Sequence, residues 1–139
     1  MRRETSIAVS LVMLAFAGCS HKALDSKDLS SRLRATSSLA TEADVFIEYL
    51  GTGHATSTFA RGHAEYLAQE FEDERRDLEG ASAGASLRSA LALCQAQQEQ
   101  LARELRRLPS AIGHSEELPE IASQIRAIGQ AAAQAREGL

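Results

Sequence analysis

Four stretches of the chain place their apolar residues at alternating steps of three and four positions. Because an α-helix has 3.6 residues per turn, such steps put the side chains along one face of a helix. No stretch shows the alternation of β-branched or aromatic residues that is typical of a strand. The pattern therefore predicts four helices, over residues 27–50, 55–79, 86–108 and 116–137.

Glycine and proline residues mark the boundaries of these helices. Gly51 and Gly53 are expected to end the first helix, because glycine accepts the left-handed conformation found at helix ends. The second and third helices are separated by a linker of small residues, 80–85. Pro109 is expected to end the third helix, because proline cannot continue the backbone hydrogen-bond ladder.

Each predicted helix has one apolar stripe that it cannot bury alone, so the four helices are expected to pack together. The short connection at Gly51–Gly53 favours antiparallel neighbours. The predicted fold class is all-α, an antiparallel up-down-up-down four-helix bundle. The alternative is a longer two-helix hairpin that pairs with a second copy of the chain, since the same stripes fit both arrangements.

Some positions within the stripes are polar or small. Gln98 lies among leucines in the third stripe, and Thr36 and Glu74 lie in the first and second. A single polar residue in a seam often fixes helix register or partner number at a cost in stability. Many other stripe positions are alanine, which buries little area. Such a core leaves room for self-association or for a partner helix.

Length, charge and cysteine count narrow the class of protein. The 139 residues are enough for one domain, and the formal net charge of −4 argues against nucleic acid as a partner. Two cysteines are too few for a disulfide scaffold. Residues 22–80 carry seven basic and twelve acidic side chains, while residues 81–139 carry six of each. The first predicted hairpin is therefore acidic, which turns it away from anionic lipid or towards a basic partner.

The first residues have the order of a secretory signal peptide. Arg2 and Arg3 form a basic head, residues 7–17 are apolar except for Ser10, and small residues follow. The apolar run has 11 residues, whereas a membrane-spanning helix needs about 20. We expect residues 1–18 to be a signal peptide that is removed from the mature protein.

The residues Phe16, Ala17, Gly18 and Cys19 resemble the lipobox of bacterial lipoproteins. The resemblance implies cleavage between Gly18 and Cys19, and a diacylglyceryl group on the Cys19 thiol. Two or more acyl chains anchor a protein stably to a bilayer. In the proteobacterial branch of this class, a residue such as Ser20 after the cysteine implies the outer membrane, facing the periplasm. The expected organisation is a signal peptide (1–18), a lipidated N-terminus with a short tether (19–26) and a helical domain (27–139).

Several motifs of catalysis and cofactor binding are absent from the sequence. The chain contains no Gly-rich phosphate loop and no Cys-x-x-Cys-His motif. It also lacks the Glu-x-x-His pairs with which helical bundles hold di-iron sites. We therefore expect no enzymatic activity, no cofactor and no metal ligands. Cys94 is interpreted as a small buried residue, with an intermolecular disulfide as the alternative.

One group of residues is a candidate ligand-binding site. His63 flanks the second stripe, and Tyr66 and Glu70 follow it by three and seven positions. Residues at these offsets share one side of a helix, so His63, Tyr66 and Glu70 are expected to be close together, with Glu48 as a further candidate. The alternative interpretation of His63 is a residue at the edge of the core whose hydrogen bonds are made to water or to a neighbouring helix.

Two functions follow as hypotheses. The first is a lipid-anchored helical protein of the cell envelope that acts as a structural or protein-interaction module. Its partners would be the membrane, through the lipid on Cys19, and another protein or a second copy of itself. The second is a periplasm-facing bundle that binds a metal or small ligand around His63 and Tyr66.

Overall fold

The computed structural model describes residues 23–139 and contains four long helices. These are α1 (Ser26–Gly51), α2 (Ser57–Leu78), α3 (Arg88–Ala111) and α4 (Leu118–Glu137), with a short 3₁₀ helix at Ala85–Leu87 before α3. The predicted helices are confirmed. Within residues 23–139 there is no strand, only one isolated parallel bridge between Leu24 and Ala83. The predicted signal peptide, its cleavage site and the lipidation of Cys19 lie outside the described residues.

Side chains just before α1 and α2 explain where these two helices begin. The carboxylate of Asp25 accepts a hydrogen bond from the Asp28 N–H at 2.8 Å, and the Asp28 carboxylate accepts one from the Asp25 N–H at 3.1 Å. This reciprocal pair is a capping box that satisfies amide groups of the first turn. Thr56 caps α2 by accepting a hydrogen bond from the Phe59 N–H at 3.3 Å. Before it, the chain turns at Gly53, whose φ of +73° suits glycine.

The prediction that Pro109 ends the third helix is wrong, because α3 continues to Ala111. Leu108 and Ala111 are both buried in the core, at 0% and 1% exposure. The Ile112 N–H also donates to the Leu108 carbonyl at 3.2 Å. Proline removes a single backbone donor near the end of the helix, and burial of its neighbours keeps the last turn helical.

The core consists of two apolar clusters, and their members establish the directions of the helices. One cluster, which we call the proximal cluster, lies at the N-terminal parts of α1 and α3 and the C-terminal parts of α2 and α4. Its members are Leu29, Leu33, Leu78, Leu91, Cys94 and Ala132. The other, which we call the distal cluster, lies at the opposite ends of the same four helices. Its members include Ala40, Phe46, Leu67, Phe71, Leu105, Leu108, Ile121 and Ile125. Helix direction therefore alternates along the chain, which confirms the antiparallel four-helix bundle.

A buried polar contact lies between the two clusters. Gln98 and Thr36 are fully buried, and the Gln98 Nε2 donates to the Thr36 Oγ1 at 3.4 Å. Thr36 in turn donates to the Arg32 carbonyl at 2.9 Å. The Oε1 atoms of Gln97 and Gln98 accept no hydrogen bond from any residue in 23–139. Two of the three polar stripe positions are thus in the core, whereas Glu74 is partly exposed.

The helices do not pack equally against one another. α1 packs mainly on α4, and α2 packs mainly on α3. Of the helices that follow one another in the sequence, α1 and α2 touch each other least, although one short turn joins them. Asp44 of α1 forms a bidentate ion pair with Arg126 of α4, with distances of 2.8 and 3.0 Å. Arg75 of α2 approaches Glu99 of α3 at 3.3 Å. These contacts hold α1 and α2 to opposite neighbours, and a groove remains between them.

Candidate functional site

The first described residues are fixed to one end of the bundle, which we call the proximal end. The Leu24 N–H donates to the carbonyl of Ser82 at 2.8 Å, and the Ser26 hydroxyl donates to the carbonyl of Leu139 at 3.2 Å. Part of the predicted tether, residues 24–26, therefore belongs to the bundle. α1 has 26 residues and is about 39 Å long, so the α1–α2 turn lies at the other, distal end.

An aromatic cluster lies between α1 and α2 towards the distal end. The His63 ring stacks on Phe59 and on Tyr66, with centroids 5.8 and 5.9 Å apart. It also meets the edge of Phe46 at 4.6 Å. Tyr49 contacts Phe59 at 6.3 Å. These five residues, Phe46, Tyr49, Phe59, His63 and Tyr66, are the aromatic cluster below.

Most of this cluster is open to solvent. Tyr49, Phe59 and Tyr66 are 43%, 52% and 53% exposed, although Phe46 beneath them is buried. Residues 23–139 contain five phenylalanine and tyrosine residues, and four of them belong to this cluster. The fifth, Phe71, is buried. Large aromatic side chains contribute most to stability when they are buried, so an exposed group of them is a candidate interaction surface.

A cleft continues from the aromatic cluster along the same face of the bundle. It has a volume of about 280 Å³ and is lined by Ala35, Ser38, Leu39, Glu42, Glu70, Phe71 and Glu74. Glu42 joins the two regions, because it lines the cleft and its Oε1 lies 3.9 Å from the His63 Nε2. The aromatic cluster and the cleft together form the α1–α2 groove.

The structure brings the predicted site residues to this groove, in two parts. His63 and Tyr66 stack on each other, and Glu70 lies beyond them in the cleft. Glu48 is elsewhere, because its carboxylate lies 3.9 Å from Arg126 of α4. The sequence prediction missed Glu42, which is the carboxylate that contacts His63. Among residues 23–139, no three histidine, cysteine or acidic side chains are grouped so that they could hold a metal ion.

The acidic residues of α2 have different surroundings on its two sides. Towards α3, Glu72 accepts two hydrogen bonds from Arg75, at 2.8 and 3.2 Å, and lies 3.4 Å from Arg106. The hydrogen bond from Arg75 lowers the pKa of Glu72 below its ordinary value of 4.5. In the groove, Glu70 and Glu74 form no ion pair with any residue of the described chain. The groove thus carries carboxylates without cationic partners.

Cys94 belongs to the core and not to the groove. Its side chain is fully buried in the proximal cluster, as expected for a small buried residue. Burial raises the pKa of the Cys94 thiol to about 11, because the thiolate would lose its solvation. A disulfide to another molecule requires this sulfur to reach the surface, so the structure favours a buried, unreactive thiol.

The chain matches no protein-family model, no curated protein and no solved structure. None of the helices within residues 23–139 has both the length and the apolar character that a membrane-spanning helix requires.

Proposed function

We propose that this protein is a lipid-anchored component of the bacterial cell envelope that acts as a protein-interaction module and has no catalytic activity. The observation that carries the proposal is the aromatic cluster, with Tyr49, Phe59 and Tyr66 about half exposed at the distal end of the bundle. Burying such rings against a partner contributes binding free energy, whereas leaving them in water gives no gain in folding.

The attachment of Leu24 and Ser26 to the proximal end supports membrane anchoring as part of this function. Cys19 precedes residue 23 by four positions, which span at most about 14 Å when fully extended. A lipid on Cys19 would hold the proximal end of the bundle close to the membrane. The distal end of α1 would then lie about 39 Å further along the helix axis. In the outer membrane, this arrangement would present the aromatic cluster to the periplasm.

Binding of a metal or small ligand around His63 has less support. The rings of Phe46, Phe59 and Tyr66 surround the imidazole, and Glu42 is the one carboxylate of residues 23–139 within ion-pair distance of it. Metal analysis of the purified protein discriminates the two functions. A stoichiometric metal that disappears in His63→Ala would favour the ligand-binding function.

The test of the proposal has two measurements on the full chain in bacterial cells. Mass spectrometry of the N-terminus should find cleavage before Cys19 and a lipid on it, and Cys19→Ser should abolish membrane attachment. A photo-crosslinking amino acid at position 66 should form a discrete adduct with another protein. The matched control is position 93, because Leu93 is also exposed, at 46%, but lies on α3. An unprocessed N-terminus, or equal crosslinking from both positions, would contradict the proposal.

A further inference from the structure

We propose that the α1–α2 groove binds a basic amphipathic helix of a partner protein. The inference rests on the proposed function and adds the chemistry of the partner. Three properties of the groove carry it: its shape, its unpaired charge and its exposed rings.

The shape of the groove suits a helix. On α1 it extends from Ala35 to Tyr49, a distance of about 21 Å or four helical turns. Its floor is apolar, with Leu39 partly buried and Phe71 fully buried. α1 and α2 pack least closely of the sequence neighbours in the bundle, so their facing sides are open to a third helix. A helix in such a groove uses apolar residues at steps of three and four as its anchors.

The charge of the groove selects a basic partner. Glu42, Glu70 and Glu74 line the cleft, and no lysine or arginine is among its lining residues. Of these three, Glu42 alone has a basic side chain from residues 23–139 within ion-pair distance, that of His63 at 3.9 Å. On the other side of the same helix, Glu72 is already paired with arginines, so the uncompensated charge faces the groove. Lysine or arginine residues on a bound helix would supply the missing counter-charge and steer association.

The aromatic end of the groove favours the same partner. The exposed faces of Tyr49, Phe59 and Tyr66 can receive apolar anchors and can also stack with guanidinium groups. A second copy of this chain fits less well. A symmetric dimer through this surface would bring the two acidic grooves together, and like charges would repel. A helix with an apolar stripe flanked by basic residues therefore complements the apolar floor, the glutamates and the exposed rings of the groove.

The test uses the full chain, purified in detergent, and two synthetic helical peptides. Both peptides have the same leucine stripe and are about four turns long, but one has a lysine and arginine polar face and the other a glutamate face. Fluorescence anisotropy should detect binding of the basic peptide, weakened by added salt, and much weaker binding of the acidic peptide. Failure of the basic peptide to bind better than the acidic one would overturn the inference.

Matched variants then assign the binding to the groove. Glu70→Gln with Glu74→Gln should weaken binding of the basic peptide about tenfold. The control is Glu117→Gln with Glu137→Gln, which removes the same charge from exposed positions on or beside α4. Phe59→Ala with Tyr66→Ala should also weaken binding, whereas Leu93→Ala should not. Equal effects of the groove and control variants would overturn the inference, and circular dichroism of each variant checks that the bundle is intact.

The same measurements separate this inference from the proposed function. Specific crosslinking from position 66 in cells, together with no preference for the basic peptide, overturns the partner chemistry and leaves the interaction module. Binding of the basic peptide to the groove, together with an unlipidated Cys19, supports the groove and overturns the membrane-anchored function. Concentration-dependent self-association that Tyr66→Ala abolishes would identify a second copy as the occupant and overturn the inference.

Discussion

Replacing Gly129 with alanine should push α4 away from α1 and destabilise the bundle. A Cβ atom at position 129 would lie 2.9 Å from the Cβ of Ala40 and 3.8 Å from the carbonyl oxygen of Ser37. Carbon atoms in contact are normally about 3.5–4.0 Å apart, so one of the two must move by about 0.6 Å or more. Ala40 is buried and has no rotatable side chain, which means that the helix backbones must separate.

The size of the effect follows from two opposing contributions. Alanine in place of glycine favours a helix interior by about 1 kcal/mol. An extra methyl group in a packed core costs about 1–3 kcal/mol. The free energy of unfolding should therefore fall by about 0–2 kcal/mol in Gly129→Ala. Gly62→Ala is the matched control, because Gly62 is in α2 and is exposed. Apart from its chain neighbours and the adjacent backbone of its own helix, no atom lies within 4 Å of the position that an alanine methyl group would take. That control should be more stable than the parent by about 1 kcal/mol, which is the helix-propensity contribution alone.

Urea unfolding followed by circular dichroism measures the free energy of both variants. The helix-propensity contribution is common to them, so their difference of about 1–3 kcal/mol reports the contact with Ala40. Ala40→Gly in the Gly129→Ala background restores the space and should recover part of the loss, as a double-mutant cycle would detect. If Gly129→Ala were as stable as Gly62→Ala, the close approach of α1 and α4 would be refuted.

Three further predictions concern single side chains. Gln98→Leu removes a buried acceptor without a partner, so the free energy of unfolding measured in urea should rise by about 1–2 kcal/mol. If the oligomeric state of this variant is unchanged in sedimentation, Gln98 does not fix the number of partners. In the Cys19→Ser variant, Cys94 is the remaining thiol. Because burial raises its pKa to about 11, it should react with a thiol reagent at neutral pH only after unfolding. Fast stoichiometric labelling of the native protein would contradict this. Glu72 has a lowered pKa, so its stabilising effect is present at neutral pH and is lost as the pH falls below 4.5. Glu72→Gln should accordingly unfold at lower urea than the parent at pH 7, with a difference that disappears in acid, and a pH-independent difference would contradict the ion pair.

Helix positions can be predicted because each depends on neighbouring residues. The apolar stripe of α3 comes from steps of three and four within one segment, and the turn at Gly53 from a single positive φ angle. Gln98 and Thr36 are predicted as seam positions for the same reason, and both are buried. The predicted end of α3 is wrong because a local rule about Pro109 is outweighed by burial of Ala111, which is a tertiary effect.

The pairing of helices cannot be predicted in the same way. A stripe identifies the buried face of a helix but not the helix that covers it. The preference of α1 for α4 comes from small residues, Ala40 and Gly129, and from the Asp44–Arg126 ion pair. These pairs are more than 80 positions apart in the sequence. Their contribution becomes visible only when the register between the two helices is known.

The candidate site is predicted only in part for a related reason. His63 and Tyr66 are three positions apart on α2, so their stacking follows from helix geometry alone. Phe46, Tyr49 and Glu42 approach them from α1, and that register depends on how the α1–α2 turn is built. Glu48 is a candidate on residue type alone, but it lies six positions after Glu42 and points towards Arg126 of α4.

The proposed function connects helix packing with partner binding through the loose contact between α1 and α2. The contacts that draw α1 to α4 and α2 to α3 leave the groove open, with Phe71 as its floor and unpaired carboxylates at its edge. An apolar side chain in place of Glu70 or Glu74 would extend the apolar surface of the groove, but the same change would remove the charge by which the proposed basic partner is selected. A helix bound there would add the apolar contacts that the alanine-rich stripes lack, and binding to the folded state alone stabilises it. Modest packing between α1 and α2 is therefore a property that an interaction module of this kind requires.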